Sequence, residues 1–280
     1  MNQGALFAIT FFTLLSLSAC QTLDSPEHSK SQDIIEFRAA SPGVDTPSPT
    51  DNTLTAAEKE DGWKLLFDGK SLKGWKMVQG WDRATPEEVP AKVLRADEGS
   101  LVPSKFGGYM IVYNEIVGDY VLKIDFKLMD TGADYSCNSG IFLRTYPLIL
   151  QDDPNSEKPY DIGYNGIELA LDQTPKNGYT DTGALYGVAR PLKQVVRPNG
   201  QWNQAVITNH ENLITVTLNG ELVNVVDLDQ FTEPGKIPNG QTHKFGTQKI
   251  FRDHPRRGYF GMQDHGCAVR FKNLKILLLD

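Results

Sequence analysis

Two short stretches near the middle of the chain limit what it can fold into. In Asn138-Ser-Gly-Ile-Phe-Leu-Arg144 and Gly166-Ile-Glu-Leu-Ala-Leu-Asp172, apolar residues alternate with polar or small ones. A period of two sends successive side chains to opposite faces of a strand and fits no helix. Ile141 and Leu143 then share one face, with Asn138, Gly140, Phe142 and Arg144 on the other. Ile167, Leu169 and Leu171 point into a core, which leaves Glu168, Ala170 and Asp172 opposite. An arginine and two carboxylates on one sheet face make a candidate site.

The rest of the chain reads the same way. Tyr120-Val-Leu-Lys-Ile-Asp-Phe-Lys-Leu128 alternates cleanly, and Asn219-Gly220 between apolar runs is a strong hairpin signal. About a dozen short strands with turn residues between them, and no internal repeat, describe one all-β domain, a sandwich or a barrel. Residues 79–91, 146–164 and 231–257 carry the prolines and polar residues of loops, and the second of these is long enough to border a cleft. Trp63, Trp75 and Trp202 are expected in the core, whereas Trp81, in a loop, is placed to stack on a sugar ring.

The domain is expected to span residues 61–280. Before it, residues 1–19 form an apolar run ending in Leu17-Ser-Ala-Cys20, which resembles a bacterial lipoprotein signal peptide with lipidation at Cys20. That implies a protein held in the cell envelope by acyl chains, through the outer membrane, and not by a spanning helix. Residues 20–60, rich in Ser, Pro, Thr and Asp, are expected to be a disordered tether, with a short helical turn capped by Thr53 or Thr55 over residues 53–60. A net charge of −7 without a concentrated basic face excludes a nucleic-acid partner. Once Cys20 is set aside, Cys137 and Cys267 remain, as a disulfide permitted by export or as two buried thiols.

Six motifs occur in one order: Leu-Phe-Asp-Gly-Lys-Ser-Leu-Lys-Gly-Trp, Asn-Ser-Gly-Ile-Phe-Leu-Arg, Thr-Gly-Ala-Leu-Tyr, Gly-Gln-Trp-Asn, Leu-Asn-Gly and Gln-Asp-His-Gly. In that order they resemble the 3-keto-disaccharide hydrolase domain family. The resemblance implies a concanavalin A-like jelly-roll β-sandwich of two antiparallel sheets, and cleavage of the glycosidic bond of sugars already oxidised to the ketone at C3. At the position of Ala170 the family tends to show a polar residue.

Glu168 and Asp172 do not form a glycosidase pair. Four residues at about 3.3 Å each separate their Cα atoms by roughly 13 Å, beyond the range of two carboxyl groups acting on one bond. A 3-keto sugar needs a different set. Its ketone acidifies the C2 proton, so one base, one donor at the developing oxyanion and one acid at the leaving group suffice. Glu168 and His265 are the candidates for proton transfer, and Arg144 for the oxyanion. Asn138, Asp172, Tyr186, Gln263 and Trp81 are candidates for holding the sugar. No cofactor is firmly implied; Glu168, Asp172, Asp264 and His265 offer ligands for a divalent metal such as Ca2+. A carbohydrate-binding module without catalysis and a conventional glycoside hydrolase are the other readings of this fold.

Overall fold

The computed structural model describes residues 50–79, 94–103, 109–130, 137–146, 148, 165–172, 177–243, 249–267 and 269–279. Cys20, the leader before it, most of the expected tether and Trp81 lie outside the described residues. A short helix, α1 (Ala56–Glu60), precedes thirteen strands among the described residues: β1 (Lys64–Leu65), β2 (Trp75–Gln79), β3 (Leu94–Asp97), β4 (Ser100–Pro103), β5 (Tyr109–Tyr113), β6 (Tyr120–Lys127), β7 (Asn138–Thr145), β8 (Ile167–Asp172), β9 (Asn203–His210), β10 (Leu213–Leu218), β11 (Glu221–Asp227), β12 (Tyr259–Asp264) and β13 (Arg270–Leu278).

They form two antiparallel sheets. The larger runs β11-β10-β9-β6-β13-β4-β3, with β1 also on β13, and the smaller runs β2-β5-β12-β7-β8. This is the concanavalin A-like jelly-roll sandwich that the motifs implied. β7 and β8 are consecutive in the chain, but β12 and β5 join them from distant parts of it, so topology as well as local sequence assembles the site on the smaller sheet.

Alternation decides which residues meet between the sheets. Leu122, Ile124 and Phe126 of β6 face Ile141 and Leu143 of β7 and Leu169 of β8 across one continuous core. Trp75 closes one end, its Nε1 donating to the Leu66 carbonyl at 2.8 Å and its ring edge-on to Phe260 at 6.0 Å. Trp202 departs from expectation: it is only half-buried, on the outside of the larger sheet, with Lys127 and Lys272 above its ring at 4.8 and 4.3 Å.

The expected tether is shorter than residues 20–60, because its last ten residues belong to the folded body. Thr55 caps α1 with a reciprocal capping box to Glu58. Glu58, 1 % exposed, accepts from Lys123 Nζ at 3.2 Å and Lys275 Nζ at 2.7 Å, two cations on adjacent strands of the larger sheet. Asn52 exchanges hydrogen bonds with Asn273, which takes a left-handed φ of 55° at a bulge in β13. Ser- and Pro-rich composition nearby hid these anchors, since a single carboxylate between two buried lysines fixes the segment without any apolar run.

Candidate functional site

The face of the smaller sheet that turns away from the main core carries the candidate site. Three registers define it. Asn138, Gly140 and Phe142 of β7 lie opposite Asp172, Ala170 and Glu168 of β8. On the other side of β7, Gly261 of β12 lies opposite Phe142. Next to β12, Met110 and Val112 of β5 lie opposite Gln263 and Gly261. Phe142, Met110 and Val112 form a small apolar cluster there, with Leu148 and Tyr259 packed against it. Lys76 of β2 reaches over the Tyr259 ring at 5.1 Å.

Gly140 explains how Glu168 sits on this face. A Cβ built at Gly140 would stand 2.7 Å from Cγ and 2.8 Å from Cδ of Glu168, and closer still to its Oε1. The glutamate therefore does not stand upright in its own row. It leans diagonally across β7 and rests its carboxylate in the space that a side chain at 140 would fill, toward β12 and Gln263. The side of the residue is 7 % exposed, so the carboxylate is held by its surroundings on the sheet. Gly261 lets β5 come close: a Cβ there would lie 2.7 Å from the Met110 methyl and closer still to the Ile111 carbonyl oxygen. Two glycines thus cut a shallow trough, with Glu168 in one half and Met110 in the other.

The other polar candidates lie toward one end of the trough. Asn138 and Asp172 are direct cross-strand partners, Asn138 half-buried and Asp172 buried. Gln263 stands on β12 with the outward parity of Tyr259 and Gly261, while Phe260 and Met262 enter the core. His265 is exposed, one residue beyond β12. Continuing the β12–β7 register brings His265 beside Asn138, roughly 8 Å in backbone terms from the seat of the Glu168 carboxylate at Gly140, given about 4.8 Å between strands and 3.3 Å per residue. Cys137 and Cys267 form a disulfide with a Cα separation of 5.4 Å. It ties the turn holding His265 to the start of β7, which fixes this end of the trough covalently. Sequence left that pairing open, because cysteines 130 residues apart reveal no distance.

The Thr-Gly-Ala-Leu-Tyr motif finishes the edge of the sheet. Thr182 N donates to Asp172 O at 2.9 Å, Gly183 N to Ala170 O at 3.1 Å, and Tyr186 N to Glu168 O at 2.8 Å. Residues 182–186 therefore run along β8 and position the backbone of all three outward residues. The Tyr186 ring itself packs, half-buried, against the main core, so its part in the site is to anchor Glu168 through the main chain.

Arg144 is not on this face. Its φ is +52°, a left-handed conformation that ends the alternation of β7 at a register shift against β12. The side chain turns between the two sheets, fully enclosed, where its Nη2 donates to the Glu211 carbonyl at the β9–β10 turn. Its main-chain carbonyl faces His254 Nε2 at 2.9 Å, and Gly258 packs so tightly on its backbone that a Cβ there would come within 2.9 Å of the Arg144 Cα. Burial drives the guanidinium below its ordinary pKa. The sequence reading extended a period of two one residue too far: the bulge reverses the side chain, and the oxyanion role assigned to Arg144 falls with it.

The four metal-ligand candidates likewise do not form one set. Asp264 has the inward parity of Phe260 and Met262, is fully buried, and accepts from Gly266 N at 3.0 Å. Glu168 and Asp172 face the other way. Among the described residues no three histidines, cysteines or carboxylates converge as a metal group, and the carboxylates offered for a divalent ion are divided between the two faces of the sheet.

Sequence reasoning had Phe142 on the outward face but missed Met110, Val112, Tyr259 and Lys76. Their strands carry weak alternation, and only the pairing of β2, β5 and β12 brings them together. Gly140 was visible as part of a motif; its use as a seat was not.

Comparison with known proteins bears on the family and the fold. The family described as the 3-keto-alpha-glucoside-1,2-lyase-like domain matches residues 62–277. The chain is 26 % identical over 241 residues, 79 % of each chain, to the 3-keto-disaccharide hydrolase of Bacteroides thetaiotaomicron. Two solved structures from Parabacteroides distasonis, both provisionally assigned as glycosyl hydrolases, share the fold. One is 25 % identical with a TM-score of 0.62, covering 82 % of this chain and all of that one. The other is 26 % identical with a TM-score of 0.59, covering 78 % and 99 %.

Proposed function

We propose, since the chain belongs to the 3-keto-alpha-glucoside-1,2-lyase-like family, that it cleaves the glycosidic bond of 3-keto-glycosides in the trough of the smaller sheet. The observation that carries the reading is the Glu168 carboxylate seated over Gly140, a buried base on the face of the smaller sheet that turns away from the main core. One base is what this chemistry requires. The C3 ketone makes the C2 proton acidic, and Glu168 removes it. The electron pair passes through the enolate to expel the C1 substituent, which leaves with a proton and a C1=C2 double bond behind it. Water then adds at C1 as C2 is reprotonated, so the sum is hydrolysis.

His265, at the mouth of the trough, is assigned the leaving-group proton. With Arg144 between the sheets, the enolate oxygen is assigned to neutral donors, the amides of Gln263 and Asn138. Such donors act strongly only when fixed in place and shielded from water; strand pairing holds the backbone of both residues. Asp172 and the apolar wall of Phe142 and Met110 hold the sugar ring. The relative from Bacteroides thetaiotaomicron, named for 3-keto-disaccharides, supports the substrate class. Acylation at Cys20 and residence in the cell envelope belong to the same proposal, with an oxidised glycoside as the partner.

The test uses matched glycosides, native and 3-keto, with the wild-type domain and the Glu168→Gln and His265→Ala variants. Turnover of the keto member alone, lost in Glu168→Gln with binding retained, is the expected result. Cleavage of the native member alone would assign the protein to conventional glycosidases. Equal binding by all three proteins without any turnover would make it a carbohydrate-binding module.

A further inference from the structure

The enclosed end of the sandwich around Arg144 holds more positive charge and more hydrogen-bond donors than the protein itself uses. Arg144 Nε and Nη1 have no hydrogen-bond partner among the described residues, and neither do Tyr120 Oη or the two polar atoms of the Asn209 side chain. All three residues are 0–1 % exposed. Tyr120 and Asn209 are direct cross-strand partners on β6 and β9, so their side chains rise together from one face. The Tyr120 ring lies in the core beside Phe260, at 6.2 Å. Arg144 Nη2 reaches Asp119 and the Glu211 carbonyl, which are one residue before Tyr120 and two after Asn209, so the guanidinium lies at the end of this cross-strand pair.

The local charge does not balance. Asp119 is the acid nearest Arg144, at 4.0 Å, and its Oδ2 already accepts from Arg256 at 2.7 Å and from Glu211 N at 2.8 Å. Two guanidinium groups thus share one carboxylate, the Arg256 side chain half exposed to solvent and that of Arg144 fully enclosed. Burying an uncompensated charge is costly, and so is leaving buried donors unmade.

We propose that Arg144, Tyr120 and Asn209 form an internal site for a small monovalent anion of the halide class, held between the two sheets. The ligand is small because the side chains around it are enclosed. It is an anion because the available groups are the Arg144 Nε–H and Nη1–H, the phenol O–H and an amide N–H that free rotation of Asn209 can present. Water satisfies such donors but leaves the charge; a halide satisfies both, and a spherical ion imposes no direction on them. The site is separate from the trough, on the opposite side of the smaller sheet, so it serves the fold that carries the trough and not the reaction.

Two measurements decide it. Crystals equilibrated with sodium bromide are expected to show an anomalous peak within hydrogen-bond distance of Arg144 Nε and Nη1. In solution, with ionic strength held by methanesulfonate, each tenfold rise in chloride above its dissociation constant is expected to raise the folded-to-unfolded ratio about tenfold. Tyr120→Phe should move that response to higher chloride. Asn209→Asp should abolish it, because the new carboxylate takes the anion's place, while the variant stays folded. Bromide peaks confined to the surface, a water at the site, or stability indifferent to halide in the wild-type protein would overturn the proposal. So would a chloride response that survives in Asn209→Asp.

Discussion

Replacing Gly140 by alanine separates the position of the Glu168 carboxylate from the stability of the sheet. Gly140 has an ordinary strand conformation, so alanine brings no backbone strain; the whole effect comes from its Cβ. That atom would lie 2.7–2.8 Å from Cγ and Cδ of Glu168, and reaching an ordinary carbon contact requires the carboxylate to move by about 1 Å. The end of a glutamate side chain can swing that far at a small cost, and alanine in a strand recovers about 0.5–1 kcal/mol of the entropy that glycine loses on folding. The two effects offset, so the urea midpoint should change by less than about 1 kcal/mol equivalent. Activity should not be spared. A catalytic group displaced by about 1 Å costs on the order of 100-fold in rate. The assay is steady-state turnover of a 3-keto-glycoside beside an equilibrium urea melt on the same preparation. A folded Gly140→Ala variant with kcat within about threefold of wild type would refute the claim that the seat over Gly140 sets the working position of Glu168.

Two predictions concern the frame. His254 is buried against the Arg144 carbonyl, and burial holds its imidazole neutral, with its pKa lowered from 6.5 to about 3. Between those values the unfolded chain binds a proton that the folded one refuses, so stability is complete above the unfolded pKa and falls as pH drops. From pH 7 to pH 5 this group alone removes about 2 kcal/mol. His243, also lowered chiefly by burial, acts in the same direction. Urea melts across that range should show the loss, and a pH-independent midpoint would contradict it. The disulfide closes a loop of 130 residues, worth about 4–5 kcal/mol in chain entropy; the Cys137→Ala, Cys267→Ala double variant should melt lower by that amount, and an unchanged midpoint would count against the bond.

Sequence patterns carried the fold because the two central strands bury one face each, and a period of two is then enforced by packing. They carried Glu168 for the same reason: Ile167, Leu169 and Leu171 have to enter the core, so Glu168 has to leave it. Arg144 was misplaced because a bulge inverts the side chain that follows it, and nothing in Leu143-Arg144-Thr145 marks a left-handed residue as Asn-Gly marks a turn. Asp264 was misplaced as a ligand because alternation along β12 turns it inward with Phe260 and Met262, away from the face of Glu168 and Asp172. The seat at Gly140 was invisible for a different reason. It depends on a diagonal contact across two strands, between Gly140 and Glu168, 28 residues apart in sequence, and that register is set by the whole sheet. The clamp by Glu58 was missed because one ion triad leaves no pattern in composition.

The central claim is removal of the C2 proton by Glu168, and its most direct measurement is isotopic. A 3-keto-glycoside is turned over in D2O to low conversion, and deuterium at C2 of the released 3-keto sugar is measured against that in recovered substrate. Elimination followed by hydration reprotonates C2 from solvent, so the product should carry deuterium at C2 well above the substrate's exchange, and Glu168→Gln should form no such product. Product released at full rate with protium retained at C2 would mean that water displaces the leaving group directly, and that the carboxylate over Gly140 is not the base.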